Sequence, residues 1–118
     1  MARKGFKYEM ELTERGLCVQ LWAVGRPDDE DFARVAPLLE LARKSVDDER
    51  IDLCLDVSGC GNAALSVLCM CLASHPYRRV AIVGEGDWHR WCVQTAIPIV
   101  SVPLHYFDSK VAAMDWLS

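Results

Sequence analysis

Asp56 and Ser58 end an alternating apolar run (Ile51, Leu53, Leu55, Val57) and stand just before Gly59-Cys60-Gly61-Asn62 and a greasy segment of helical length. A carboxylate at the carboxyl end of a central parallel strand is in a ligand-facing position. With a hydroxyl beside it, the turn could serve a small enzyme or accept a phosphoryl group. The same residue types also build turns, because Asp closes loops next to glycine and Ser bonds to nearby backbone. That local reading takes precedence for Asp56, Ser58 and the later Ser66, with a regulatory role as the alternative. The histidines, His75, His89 and His105, have no carboxylate or nucleophile spaced to partner them. No catalytic residue is assigned, and the chain reads as a non-enzymatic domain.

Two further patterns imitate chemistry. Six cysteines (Cys18, Cys54, Cys60, Cys69, Cys71 and Cys92) are an even count, yet most sit in apolar strands or helices and nothing directs the chain to an oxidising compartment. Reduced, buried thiols follow. A metal is not expected, since Cys69 and Cys71 point about 200° apart around a helix and cannot grip one ion. Gly59-x-Gly61-x-x-Ala64, with Glu85 beyond it, resembles a dinucleotide fingerprint. However, Val57 and Ser58 separate the strand from the first glycine, and a hairpin and helix precede that strand. A tight turn needing positive φ explains the glycines, and no cofactor is expected.

The tryptophans carry the sharper hypothesis. Trp88 and Trp91 lie three apart on a short helix after Gly84-Glu85-Gly86, close to the irregular apolar stretch Ile97-Pro98-Ile99-Val100. Core packing accounts for one such indole. The second reading is a lid hinged at Gly84 and Gly86 that opens an apolar pocket over the Ala63 to Cys71 helix. Trp88, Trp91, Cys92, Leu65 and Cys69 are then the ligand-binding candidates for a small hydrophobic molecule, and the indoles can meet a bilayer surface.

The elements that position these residues follow from periodicity. Phe6 to Leu12 and Leu17 to Trp22 alternate and are joined by Thr13-Glu14-Arg15-Gly16, which predicts an antiparallel hairpin. Phe32, Val35, Ala36, Leu39, Ala42 and Val46 repeat at helical spacing over 29–46, after an Asp28 or Asp29 cap and with Pro37 inside. Asp47-Asp48-Glu49-Arg50 is a solvated loop. The strand from Ile51 and the helix after it are apolar enough to need cover on both sides. His75-Pro76 stops that helix. Arg79 to Val83 is a buried strand, Asp87 to Thr95 a helix capped by Asp87, Val102 to Tyr106 the last strand, and Ser109 to Leu117 a final helix capped by Asp108. The order is β-β-α-β-α-β-α-β-α, an α/β fold with a mixed, mostly parallel sheet, an N-terminal antiparallel hairpin and about four helices.

At 118 residues with 52% hydrophobic content, the chain is one compact domain, 1–118. Its formal net charge of -4 argues against a nucleic-acid partner. The start, MARKGFKYEM, lacks the apolar run of a signal peptide, and no segment reaches bilayer-spanning length. A cytoplasmic protein is expected, at most peripheral to a membrane. The hairpin offers an edge strand, so a homodimer is a further expectation.

Arg79 to Gly84, Trp88 with Trp91, Pro98, and His105-Tyr106-Phe107 followed by Ala112, Ala113, Trp116 and Leu117 form a pattern that resembles the SpoIIAA-like protein family. The resemblance implies a STAS-like α/β sandwich, shared in topology with anti-sigma-factor antagonists and the lipid-carrying CRAL-TRIO domain. It also implies binding of a small apolar or amphiphilic ligand with membrane contact. The alternative it offers is a protein-interaction regulator of the anti-sigma-factor-antagonist type. Antagonists resemble D-L-S followed by D-S-S-G-L with a phosphorylated serine. This chain keeps Asp56-Val57-Ser58 but has Ala63-Ala64-Leu65-Ser66-Val67 where the second motif belongs, so the phosphoacceptor is missing in register.

Overall fold

The structure, a computed structural model, describes residues 4–46, 50–73 and 77–118. The Asp47-Asp48-Glu49 part of the expected loop and the His75-Pro76 helix stop lie outside the described residues. Five strands form one sheet in the order β1 (Gly5–Thr13), β2 (Gly16–Val24), β3 (Ile51–Gly59), β4 (Tyr77–Val83) and β5 (Leu104–Phe107). β1 and β2 are antiparallel, and every other pairing is parallel. Four helices intervene: α1 (Asp29–Lys44), α2 (Ala64–Leu72), α3 (Gly86–Ala96) and α4 (Lys110–Leu117), with a 3-10 turn at Gly61–Ala63 leading into α2. The α/β architecture and element order are those the periodicity predicts.

Strand alternation sorts the core into two layers. Val19, Leu21, Leu53, Leu55, Val57, Val80 and Ile82 point toward the layer of α1, α2 and α3, where they meet Leu39, Val67, Leu68 and Val93. The intervening residues Cys18, Cys54, Ala81 and Val83 point to the other face and pack on Ala113 and Leu117 of α4. Both faces of β3 and β4 are therefore covered, which is why these strands read as nearly continuous apolar runs.

A charged cluster pins α4. Asp52 is fully buried and lies opposite Arg79 in the β3–β4 register, with Arg78 Nε 3.2 Å and Arg79 Nη2 3.9 Å from its carboxylate. Arg79 also donates to the Trp116 carbonyl at 2.7 Å and to that of Leu117, and its guanidinium lies 5.0 Å from the Trp116 ring centroid. One arginine thus satisfies carbonyls left free at the helix end.

Local capping differs from the sequence expectation at two helices. α1 begins as expected: the Asp28 carboxylate accepts from Asp31 N–H at 2.9 Å while the Asp31 carboxylate accepts from Asp28 N–H at 3.0 Å, and the helix runs through Pro37. α3 starts after Glu85 without a side-chain cap, so Asp87 lies inside the first turn. α4 is capped by Ser109, whose Oγ accepts from Ala112 N–H at 3.4 Å. Asp108 instead accepts from Tyr106 Oη at 2.8 Å and Arg90 at 2.9 Å.

Candidate functional site

Two regions bear on function. The first is the turn at the carboxyl end of β3, beside the end of β4. There the Asp56 carboxylate accepts from both the backbone N–H of Ser58 at 2.9 Å and its hydroxyl at 2.6 Å. Both side chains are thus used to close a local turn. Gly61 has φ +54, the positive value expected for the glycine turn. Ser66 points its hydroxyl back to the Ala63 carbonyl at 3.4 Å within its own helix. Cys60 is buried beside this turn, and burial, reinforced by the Asp56 charge, pushes its thiol up to about 11.

His89 ties the start of α3 to this turn. It is buried, with Nδ1 2.9 Å from the Glu85 N–H and Nε2 2.9 Å from the Gly61 carbonyl. An N–H can only donate, so Nδ1 is the bare nitrogen and Nε2 carries the proton to Gly61. Both ring nitrogens are thus taken by backbone, leaving neither to serve as a base for Ser58. His89 fits here because Gly84 has no side chain: a Cβ at Gly84 would stand 2.7 Å from His89 Cβ and 2.9 Å from a Tyr106 ring carbon. The start of α3 is therefore fastened to the turn before α2, against the expectation that Gly84 acts as a hinge.

The second region is a cleft of about 620 Å³ between α2 and the chain that follows α3. Leu65, Leu68, Cys69 and Leu72 form one wall, while Ala96, Ile99, Val100 and Val102 form the other. The Tyr77 ring also lines it, with its hydroxyl donating to the Cys71 carbonyl at 2.9 Å. Burial holds that phenol well above its ordinary range. Arg50, Thr95 and Ser101 supply polar groups. Such a volume and lining match small-molecule sites.

Of the ligand-binding candidates, Leu65 and Cys69 line this cleft and Trp88, Trp91 and Cys92 do not. Cys92 is buried behind the wall; burial first, and then proximity to Cys69, raises its pKa. Trp88 and Trp91 are 42% and 52% exposed and stack on each other at 5.2 Å and 12°. Neither indole is core. Their side of α3 continues to Thr95 at the cleft, about 6 Å farther along the axis from Trp91 by helical rise. Ile99, Val100, Val102 and Tyr77, which also line the cleft, were not among the ligand-binding candidates; their signal was the irregular apolar run Ile97 to Val100 after α3, whose side chains need a helix to face.

The thiols separate in the same way. Cys69 is exposed, and the other five are buried and free. Burial pushes Cys54 up to about 11 and Cys18 and Cys71 up to about 12. These groups are protonated packing residues at neutral pH. Cys71 points inward while Cys69 faces out, as their helical separation requires. Among the described residues, no cluster of three metal-ligating side chains forms, and no helix is long and apolar enough to cross a membrane.

The SpoIIAA-like family model matches residues 19–118, which takes in the 3-10 turn, both walls of the cleft and the Trp88–Trp91 helix. The chain belongs to the SpoIIAA-like family. It is also similar to the crystal structure of an uncharacterized protein of the DUF3478 family, with a SpoIIAA-like fold, from Shewanella loihica PV-4. The two are 26% identical and superpose with a TM-score of 0.80 over 100% of this chain and 98% of that one. No curated protein matches the sequence.

Proposed function

We propose that this SpoIIAA-like domain is a non-enzymatic binder of a small apolar or amphiphilic, lipid-like ligand, held between α2 and the 97–103 segment. The reading rests on the cleft of about 620 Å³ with its Leu65, Leu68, Leu72, Ile99 and Val100 walls. Each methylene buried there contributes about 0.8 kcal/mol before the cost of association. A chain of sixteen or so carbons then gains about 13 kcal/mol, which after an association cost of about 4–5 kcal/mol leaves a dissociation constant on the order of micromolar. The half-exposed Trp88–Trp91 pair lies on the side of α3 that leads to the cleft. Amphipathic rings of this kind sit at bilayer interfaces, and we assign them to a membrane surface from which the ligand is collected.

A fluorescent fatty acid titrated into the protein tests the reading. Leu65 is half-buried in the cleft wall, so Leu65→Arg should fold normally yet weaken binding at least about tenfold by placing a charge against the chain. The pair Trp88→Ala and Trp91→Ala should bind the probe normally in solution and lose co-sedimentation with anionic vesicles. Absence of saturable binding by medium- and long-chain fatty acids alike, or equal binding by Leu65→Arg, would overturn the assignment.

A further inference from the structure

The hydrophobic core does not end at the edge of the sheet. Val19 and Leu21 of β2 are 0% and 1% exposed, whereas their cross-strand partners on the edge strand, Met10 and Tyr8, are 40% and 50% exposed, and Leu12 next in the row is 80% exposed. All three point to the helix side of the sheet. Cover by α1 reaches Phe6, whose ring meets Phe32 edge-on at 5.9 Å, and Lys4, tied to Asp28 at 2.6 Å. β1 is nine residues long, contains no proline, and pairs with β2 in unbroken register. The opposite edge, β5, has four residues. Natural sheets protect a long edge by bulges, proline, shortness or charged side chains; β1 has only the last, in Lys7, Glu9 and Glu11, which alternate with its exposed apolar row and so lie on the other face.

We infer that β1 pairs antiparallel with β1 of a second copy of this chain, making a two-fold homodimer with one ten-stranded sheet and Tyr8 on the axis. A two-fold axis normal to the sheet keeps faces matched, so paired positions must add to an even number. Charge then selects among the registers. With Tyr8 opposite Tyr8, each Lys7 faces Glu9 of the second copy, and Phe6 faces Met10 in a continuous apolar row. A shift that puts Lys7 on the axis sets Lys7 against Lys7. A shift the other way sets Glu9 against Glu9, and one step more sets Glu9 against Glu11. Opposite charges directly across a seam stabilise and like charges destabilise, so the Tyr8-centred register is the one that brings opposite charges together without a like pair. Within the chain, Lys7 and Glu9 lie opposite Trp22 and Gln20, and neither has an ion-pair partner among the described residues.

Analytical ultracentrifugation of the full chain over a wide concentration range tests this. The wild type should sediment at twice its 13.3 kDa. Lys7→Glu alone and Glu9→Lys alone each turn two attractive contacts into repulsive ones by symmetry, and each should weaken dimerisation about tenfold or more. The double variant Lys7→Glu with Glu9→Lys restores opposite pairs and should recover the wild-type dimer. Circular dichroism confirms folding of each variant. A monomeric wild type at every concentration, single variants that dimerise normally, or a double variant that fails to recover would each overturn the inference.

Discussion

Replacing Gly84 with Ala probes how the two halves of the fold are joined. The added Cβ would sit 2.7 Å from His89 Cβ and 2.9 Å from a Tyr106 ring carbon, about 1 Å inside ordinary carbon contact. Neither neighbour yields cheaply. His89 belongs to the first turns of α3 and is tied to Glu85 and Gly61, while Tyr106 is held by Asp108 at 2.8 Å and lies 4.9 Å under the Arg90 guanidinium. Overpacking costs about 1–3 kcal/mol. Loosening the two His89 hydrogen bonds adds about 1 kcal/mol. The total is about 2–4 kcal/mol, which at a slope of about 2 kcal/mol/M lowers the urea midpoint by about 1–2 M with the slope unchanged. The control is Gly86→Ala, where φ is +86 and nothing lies near the new Cβ; it should cost only about 1 kcal/mol from the backbone conformation. A midpoint for Gly84→Ala within about 0.3 M of wild type would refute the packing argument.

Arg79→Met should lower the thermal midpoint by about 10 °C, because it removes a partner of the buried Asp52 carboxylate and frees the Trp116 and Leu117 carbonyls; calorimetry showing a change below about 2 °C would contradict that role. The Lys4 ammonium beside Asp28 holds its carboxyl down to about 2, below the usual 3.8. A depressed folded-state pKa stabilises above the unfolded value, so this contact's contribution should fade as pH falls from about 4 to about 2. In Lys4→Ala the Asp28 carboxyl, followed by NMR, should titrate at higher pH, and an unmoved titration would sink the assignment. Iodoacetamide at neutral pH should add one label rapidly, at Cys69, and reach the five buried thiols only on unfolding; rapid labelling of two or more in the folded protein would disagree with the burial.

Architecture was legible where burial is one-sided and periodic. Ile51 to Val57 and Phe32 to Ala42 carry their own element type in the spacing of apolar residues, and the turn chemistry at Thr13–Gly16 fixes the hairpin. α3 was harder. Its composition places indoles inside, yet His89, Cys92 and Val93 face the core and the tryptophans face out. That choice depends on a gap at Gly84, just past the end of β4, which admits His89; no count along the helix records it. The cleft is similarly tertiary, since Leu65 and Cys69 were visible on α2 but their opposing wall comes from an irregular segment some thirty residues on. The Asp52–Arg79 pair did leave a trace, an acid inside a buried strand followed by an arginine opening the next, whose partnership depends on strand register.

The protection of Cys69 tests the central claim most directly, because this exposed thiol lies in the cleft wall. Alkylation is followed by mass spectrometry with and without a saturating long-chain fatty acid. An occupied cleft predicts labelling of Cys69 slowed about tenfold or more, with Leu65→Arg labelled at the free rate in both conditions. Equal rates for the wild type with and without the fatty acid would contradict the account.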